Sequence, residues 1–297
     1  MSKETEKLIR ELQKYMDEHE GEVDFDDLFK GGPIPFSLPE QKGRKAELDA
    51  YDYLEMAENS GNGKEAVRYA KKALAMEPTL LDAEILLAQM KEPMAAKQKA
   101  LEKVMDKGKK QLEEQGISFT DDAGDFYMIF ETRPYIRASR NYMEVLKSQG
   151  KMRKAVAVGE EVLRLNDNDN TGARYTLMAL YAYLEEPEKA EALLERYDHE
   201  ESVNMLLPMI ALYYKLDEEK TAKQYLKKLR THTEGLREAF EAIERDKVDW
   251  DEVEEAPFYQ PFTAEEVYIA YAGNRFLYEN IPGFVNWVVK GCPKKRK

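Results

Sequence analysis

Gly150-Lys151-Met152-Arg153-Lys154-Ala155, Glu186-Pro187-Glu188-Lys189-Ala190 and Asp217-Glu218-Glu219-Lys220-Thr221-Ala222 are three versions of one phrase. In each, a turn and a few charged residues lead to an alanine that opens the second helix of a pair. The alanines are 35 and 32 residues apart. Gly63-Lys64-Glu65-Ala66 is an earlier copy of the same phrase. Two helices that cross closely need a small residue at the crossing, which is the physical reason for alanine to recur there.

A period near 34, with small residues at fixed places, resembles the tetratricopeptide repeat. That family carries small residues at the eighth, twentieth and twenty-seventh positions and proline near the thirty-second. Ala66, Ala70, Ala73 and Pro78 follow the pattern in the phrase Ala73-Leu74-Ala75-Met76-Glu77-Pro78. In the second clear unit, Leu163-Arg164-Leu165-Asn166-Asp167 keeps the cadence, with Asp167 in place of proline. The large-residue and glycine positions of the first helices are poorly kept. The resemblance covers roughly residues 45–235. It implies an all-α fold, an α-solenoid of helix-turn-helix repeats with an N-terminal extended segment and a C-terminal helical cap. The phrases Glu131-Thr132-Arg133-Pro134-Tyr135 and Asn168-Asp169-Asn170-Thr171-Gly172-Ala173-Arg174-Tyr175 look like a group of bacterial tetratricopeptide proteins, some of which are compared with the suppressor-of-tumorigenicity family. That likeness implies no particular reaction.

Outward from the repeats, Ala100 lies 34 residues after Ala66. Leu80 to Met90 and Pro93 to Glu114 are therefore expected to form a distorted unit, with residues 115–131 inserted before the array resumes. Residues 1–44 read as a short amphipathic helix (Leu8, Ile9, Leu12, Tyr15 and Met16 on one stripe) and an extended acidic, proline-rich segment. Pro33, Pro35 and Pro39 exclude a helix there. Residues 236–297 read as an acidic aromatic segment, capping helices and a basic tail. Thr263-Ala264-Glu265-Glu266 has the form of a capping box, and Phe284, Val285, Trp287 and Val288 form a last short helix that covers the open end of the array.

Composition narrows the function. Acidic residues outnumber basic ones 58 to 45, for a formal charge of −13. That field repels phosphate backbones, so nucleic acid is not an expected partner. The lone cysteine, Cys292, permits no intramolecular disulfide and fits a reducing compartment. No apolar core follows Met1-Ser2-Lys3-Glu4, and the longest apolar stretches, such as Ser202 to Leu216, are shorter than the ~20 residues of a membrane span. A cytoplasmic location away from membranes is expected.

Signals of catalysis or metal binding are weak. His19, His199 and His232 are scattered through polar stretches, and no cofactor or metal is expected. Asp167-Asn168-Asp169-Asn170-Thr171-Gly172 matches the first half of a calcium loop, but Met178 stands where the bidentate glutamate belongs. A turn in which Asn170 or Thr171 caps the next helix explains it better. Gly61-Asn62-Gly63 lies between helices rather than after a strand, and is also a turn. Pro293-Lys294-Lys295-Arg296-Lys297 has the form of an import tag or simply a basic end. The run from Lys97 to Lys110 is a solvated helix face.

The strongest functional signal follows Pro134. Arg137, Arg140, Glu144 and Lys147 recur at helical spacing on the face that lines the concave groove in tetratricopeptide arrays, and Tyr175 and Tyr214 hold corresponding lining positions further on. Tyr51 does so earlier. Arginine offers paired donors to carboxylates and tyrosine offers contact area with a polar tip, which suits an acidic or C-terminal peptide. The plainer alternative is a solvated face with an Arg140–Glu144 pair. The carboxylate clamp of chaperone-binding relatives is incomplete: Asn141 fits, but Asn204 and Pro208 stand where lysine and arginine belong. The expected function is non-enzymatic binding of a protein or peptide by a monomer or weak homo-oligomer. The second reading is a structural subunit that self-assembles through Phe258, Tyr259, Phe262, Phe276, Phe284 and Trp287. In the first reading, residues 21–39 are expected to occupy the groove and the C-terminal segment to cap the end.

Overall fold

A computed structural model of the chain describes residues 48–255 and 258–293. The helix expected over residues 2–18, the segment 21–39 with its groove docking, His19 and the basic end 294–297 lie outside the described residues. Those described are all-helical, with fifteen α-helices and no strand; an isolated bridge pairs Asp125 with Asn166.

The chain divides into two units. The described part of the first is residues 48–90 and 128–131. It holds α1 (Ala50–Glu58), α2 (Gly63–Met76) and α3 (Leu81–Gln89). Asp49 starts α1 through a reciprocal box: its carboxylate accepts from the Tyr51 and Asp52 amides, and Asp52 accepts from the Asp49 amide. Asn62 caps α2 by accepting from the Lys64 amide. Ala57, Ala66, Ala70, Ala73 and Ala83 are buried between the helices, and Leu54, Leu80 and Leu86 complete this small core.

The second unit comprises residues 91–127 and 132–297. It starts with α4 (Met94–Glu114), followed by α5 (Arg133–Ser148), α6 (Met152–Leu165), α7 (Ala173–Leu184), α8 (Pro187–Arg196), α9 (Val203–Lys215) and α10 (Glu219–His232). Then come α11 (Leu236–Glu244), α12 (Trp250–Glu255), α13 (Ala264–Gly273), α14 (Arg275–Tyr278) and α15 (Phe284–Gly291). Helices α5/α6, α7/α8 and α9/α10 pack as pairs, α6 packs on α7, α8 on α9, and α7 on α9. Ala155, Ala190 and Ala222, each the fourth residue of the second helix of its pair, are fully buried. Ala100 departs from this rule. It is half-buried, and Leu101, Val104, Gly108 and Leu112 make the inner face of α4.

A bond not visible in the sequence repeats across the helix pairs. A tyrosine of each first helix donates to a glutamate of the helix before it: Tyr142 to Glu102 at 2.7 Å, Tyr181 to Glu160 at 3.0 Å and Tyr213 to Glu191 at 2.5 Å. Tyr225 donates to the same Glu191 and stacks on Tyr213 at 5.8 Å. In this respect α4 behaves as the second helix of a preceding pair.

The segment 115–131 is irregular but anchored. Gly124 and Phe126 donate backbone N–H groups to Leu165 O, and Asp167 donates to Gly124 O. The ring of Phe126 is fully buried, and Phe119 lies edge-on to both Phe126 and Tyr135. Beyond residue 235, Leu236, Phe240, Val267, Leu277, Phe284 and Val288 belong to the same core as the paired helices. In contrast with the reciprocal capping box expected at Thr263, the Thr263 hydroxyl accepts from the Glu265 amide, while the buried Glu266 carboxylate accepts from the amides of Phe262 and Val203. It thereby supplies the start of α9 with an acceptor from a distant helix.

Candidate functional site

Helix α5 carries four cations, Arg133, Arg137, Arg140 and Lys147, against one carboxylate, Glu144. Arg133 is buried; its Nε donates to Tyr127 O at 2.9 Å and its guanidinium lies 5.1 Å from the Tyr127 ring. The other four charged residues follow the helical spacing that puts them on one side. Glu144 sits between two of them: Arg140 binds one carboxylate oxygen, and Lys147 lies 2.6 Å from the other. Thr176 of α7 joins the cluster, accepting from Arg140 Nη2 at 3.0 Å and donating to Glu144 at 2.9 Å. Burial by itself would raise the Glu144 pKa, but the Arg140 and Lys147 charges outweigh it and hold the carboxyl at about 2. The Nε of Arg140 is buried with no hydrogen-bond acceptor. Arg137 is half-buried on the same helix.

This arrangement has a pH signature. Glu144 is charged at lower pH in the folded chain than in the unfolded one. Its stabilisation is therefore present above pH ~4.5 and is lost as pH falls toward 2. The side chain is 37% exposed, so solvent screening leaves roughly 1 kcal/mol of the full linkage. Urea midpoints of wild type and Glu144→Gln should differ at pH 6, and the difference should shrink below pH ~4.5 and nearly vanish by pH ~2. A difference unchanged down to pH ~2 would mean that charge is not what the pair contributes.

Tyr175 sits in a second cluster. Its hydroxyl accepts from Arg174 Nη2 at 2.6 Å and donates to Glu200 at 2.9 Å. Arg174 also binds Asp169 and Glu200, with its guanidinium 4.3 Å from the Tyr175 ring and 5.0 Å from the Tyr197 ring. Burial, with Glu200 alongside, pushes the Tyr175 phenol well up. Asp169 settles the calcium-like segment as a turn. Its carboxylate accepts from the Ala173 and Arg174 amides at 2.8 and 2.9 Å. The N-cap residue is Gly172, in the left-handed conformation, and Asp169, in place of the Asn170 or Thr171 expected from sequence, supplies the side-chain acceptor for the first amides of α7.

Tyr214 is half-buried under the C-terminal helices. Its hydroxyl donates to Pro282 O at 3.2 Å, and its ring meets Phe284 at 5.5 Å and Trp287 at 5.2 Å. Lys147 reaches the same region, donating to Gly273 O at 3.1 Å with its ammonium 5.7 Å from the Phe276 ring. The structure therefore brings Arg140, Glu144 and Lys147 together, holds Tyr175 in a neighbouring cluster, and places Tyr214 beneath the chain's own C-terminal block. Of the six aromatics considered for self-assembly, Phe284 is fully buried, Phe276 and Trp287 are partly buried against this core, and Phe258, Tyr259 and Phe262 are exposed.

Sequence reasoning missed Thr176, Arg174, Glu200 and the tyrosine–glutamate bonds. Arg174 was legible as the one charged residue of α7. The others depend on which faces meet. Outside these clusters, His232 lies 2.7 Å from Glu201, Cys292 is buried with its thiol pKa pushed up by burial, and no group of three or more His, Cys, Asp or Glu side chains among the described residues is arranged to hold a metal. No helix among the described residues is long and apolar enough to cross a membrane. Neither protein-family models nor curated proteins yield a match to this chain.

Proposed function

We propose that this chain is a tetratricopeptide-like helical-repeat scaffold that binds an acidic protein segment on its first helices, α5 and α7, and works by holding a partner rather than by catalysis. The observation that carries the reading is a charge asymmetry. On one side of α5, Arg137, Arg140 and Lys147 recur with Glu144 as the one carboxylate of the helix, in a chain of net charge −13. A basic strip on an acidic body concentrates and orients an acidic ligand, and arginine supplies the forked donors that fix a carboxylate. The packing of α5/α6, α7/α8 and α9/α10 as successive pairs supports a solenoid arrangement of this kind.

Fluorescence anisotropy with a short Glu/Asp-rich peptide bearing a free C-terminal carboxylate tests the reading. Binding is expected at a Kd of about 1–100 µM, weakened at least about tenfold by Arg137→Glu. Lys220→Glu, on the exposed start of α10, should leave it within about twofold. Equal loss in both variants would reduce the effect to overall charge, and no binding to the wild type would overturn the proposal.

A further inference from the structure

The segment Phe258-Tyr259-Gln260-Pro261-Phe262 is a pinned loop that presents aromatic rings to solvent. Phe258 is 87% exposed and Phe262 45%. Large apolar side chains are not usually held outward by an ordered backbone, yet four hydrogen bonds hold this one. Gln260 N donates to Glu265, Thr263 Oγ1 to Gln260 O, Phe262 N to Glu266 at 2.6 Å, and Glu234 N to Phe262 O at 2.7 Å. Phe262 has φ +61, a left-handed conformation that costs a bulky residue energy and persists only where surrounding contacts enforce it. The loop is flanked by exposed acids: Asp251, Glu252 and Glu254 on α12, and Glu265 on α13.

The first unit offers a surface of opposite character. A shallow, open and mainly apolar depression is lined by Asn62, Gly63, Lys64, Val67 and Met90. Met90 is 49% exposed at its edge. Helix α2 beside it carries Lys64, Arg68, Lys71 and Lys72 against Glu65 alone. Apolar floor meets aromatic tip, and basic rim meets acidic flank.

We propose that the 258–262 loop of one copy docks on the α2 depression of a second copy, a head-to-tail contact between identical chains. The rings of Phe258 and Phe262 enter the depression over Val67 and Met90, and the α12 and α13 carboxylates face the lysines of α2. The contact is heterologous, so each copy keeps one free loop and one free depression, and association continues beyond the dimer unless a ring closes. A five-residue loop on a shallow surface gives a weak contact, with a Kd on the order of 10–100 µM, and salt weakens it by screening the flanking charges.

Sedimentation velocity of the full chain across this concentration range, in low and high salt, is the test. The wild type should form dimers and larger species at low salt. Phe258→Ser and Lys64→Glu should each weaken association at least tenfold while leaving the circular dichroism spectrum unchanged; about 1.4 kcal/mol corresponds to that factor. An equimolar mixture of Phe258→Ser/Phe262→Ser with Val67→Asp retains one intact loop and one intact depression, and should form a dimer that grows no further. A wild type that stays monomeric at about 100 µM overturns the proposal. So does association that survives Lys64→Glu and Val67→Asp, because the loop would then meet a different surface, and so does a mixture that fails to dimerise.

Discussion

The protein should lose its helicity abruptly between about pH 10 and 11, in step with ionisation of its tyrosines. Tyr181, Tyr213, Tyr271 and Tyr278 are all below 9% exposed. Burial raises the pKa of each phenol, and adjacent acids add to the shift, Glu160 beside Tyr181 and Glu191 beside Tyr213; Tyr271 is pushed up to about 12. An unfolded chain ionises these groups near pH 10, while the folded chain keeps them neutral. The stabilisation is complete below the unfolded value and is lost as pH rises from there through the folded values. By pH 11 each such group has given up about 1.4 kcal/mol, so the four together give up about 6 kcal/mol, comparable with the whole stability of many domains. The half-buried Tyr142 and Tyr197, both pushed up to about 12, add smaller, screened amounts. Ellipticity at 222 nm and tyrosinate absorbance at 295 nm, followed in one titration, should change together. If tyrosinate forms smoothly around pH 10 while helicity persists past pH 11.5, these rings are not sealed as described. Tyr181→Phe should move the transition toward higher pH, because it removes one linked group.

Removal of residues 263–297 should abolish cooperative folding of the second unit rather than uncover a binding groove. The block supplies Val267, Ala270, Leu277, Tyr278, Phe284 and Val288, all at most 1% exposed, to the core that holds Leu226, Leu229 and Phe240. It also supplies the Glu266 carboxylate at the start of α9 and the Val289 and Cys292 carbonyls that accept from Arg237. Burial of one such side chain is worth about 1.5–3 kcal/mol, so loss of the larger ones exceeds the stability of a domain. The truncated chain is expected to aggregate, or to melt over a broad range without a transition. A sharp melt near the wild-type temperature, together with tighter binding of an acidic peptide through an uncovered Tyr214, would make the block a displaceable lid and contradict its role as a cap.

How far these features are legible depends on the distance over which they are encoded. The alanine phrase is local: Ala155, Ala190 and Ala222 precede short amphipathic stretches, and all three are fully buried. Ala100 has the right spacing but lacks the turn phrase, and in a helix as long as α4 the adjacent Leu101 carries the packing. The calcium-like segment is readable as a turn because Met178 breaks the ligand pattern, yet the acceptor for the first amides of α7 is Asp169, whose two carboxylate oxygens, placed by a left-handed backbone (φ +45), each take one amide. The tyrosine–glutamate bonds span 40, 21 and 22 residues, so the spacing of the last two does not find the first. Glu160 follows its alanine by five residues and Glu191 by one, so a turn of helix separates equivalent partners and only packing aligns them. Glu266 reads as half of a local box until α9 is placed beside it. The charged face of α5 and its Arg140–Glu144 pair are visible as spacing, whereas the second contact of Glu144 with Lys147 and the place of Thr176 between Arg140 and Glu144 require side-chain geometry.

Amide hydrogen exchange of the full chain, with and without a saturating acidic peptide, addresses the binding proposal directly. Occupancy of the basic strip predicts slowed exchange in α5 and α7 around Arg137, Arg140 and Tyr175, with little change in α6, α8 and α10. Protection confined to α10, or spread evenly over the lysine-bearing surface, would contradict a site on the first helices.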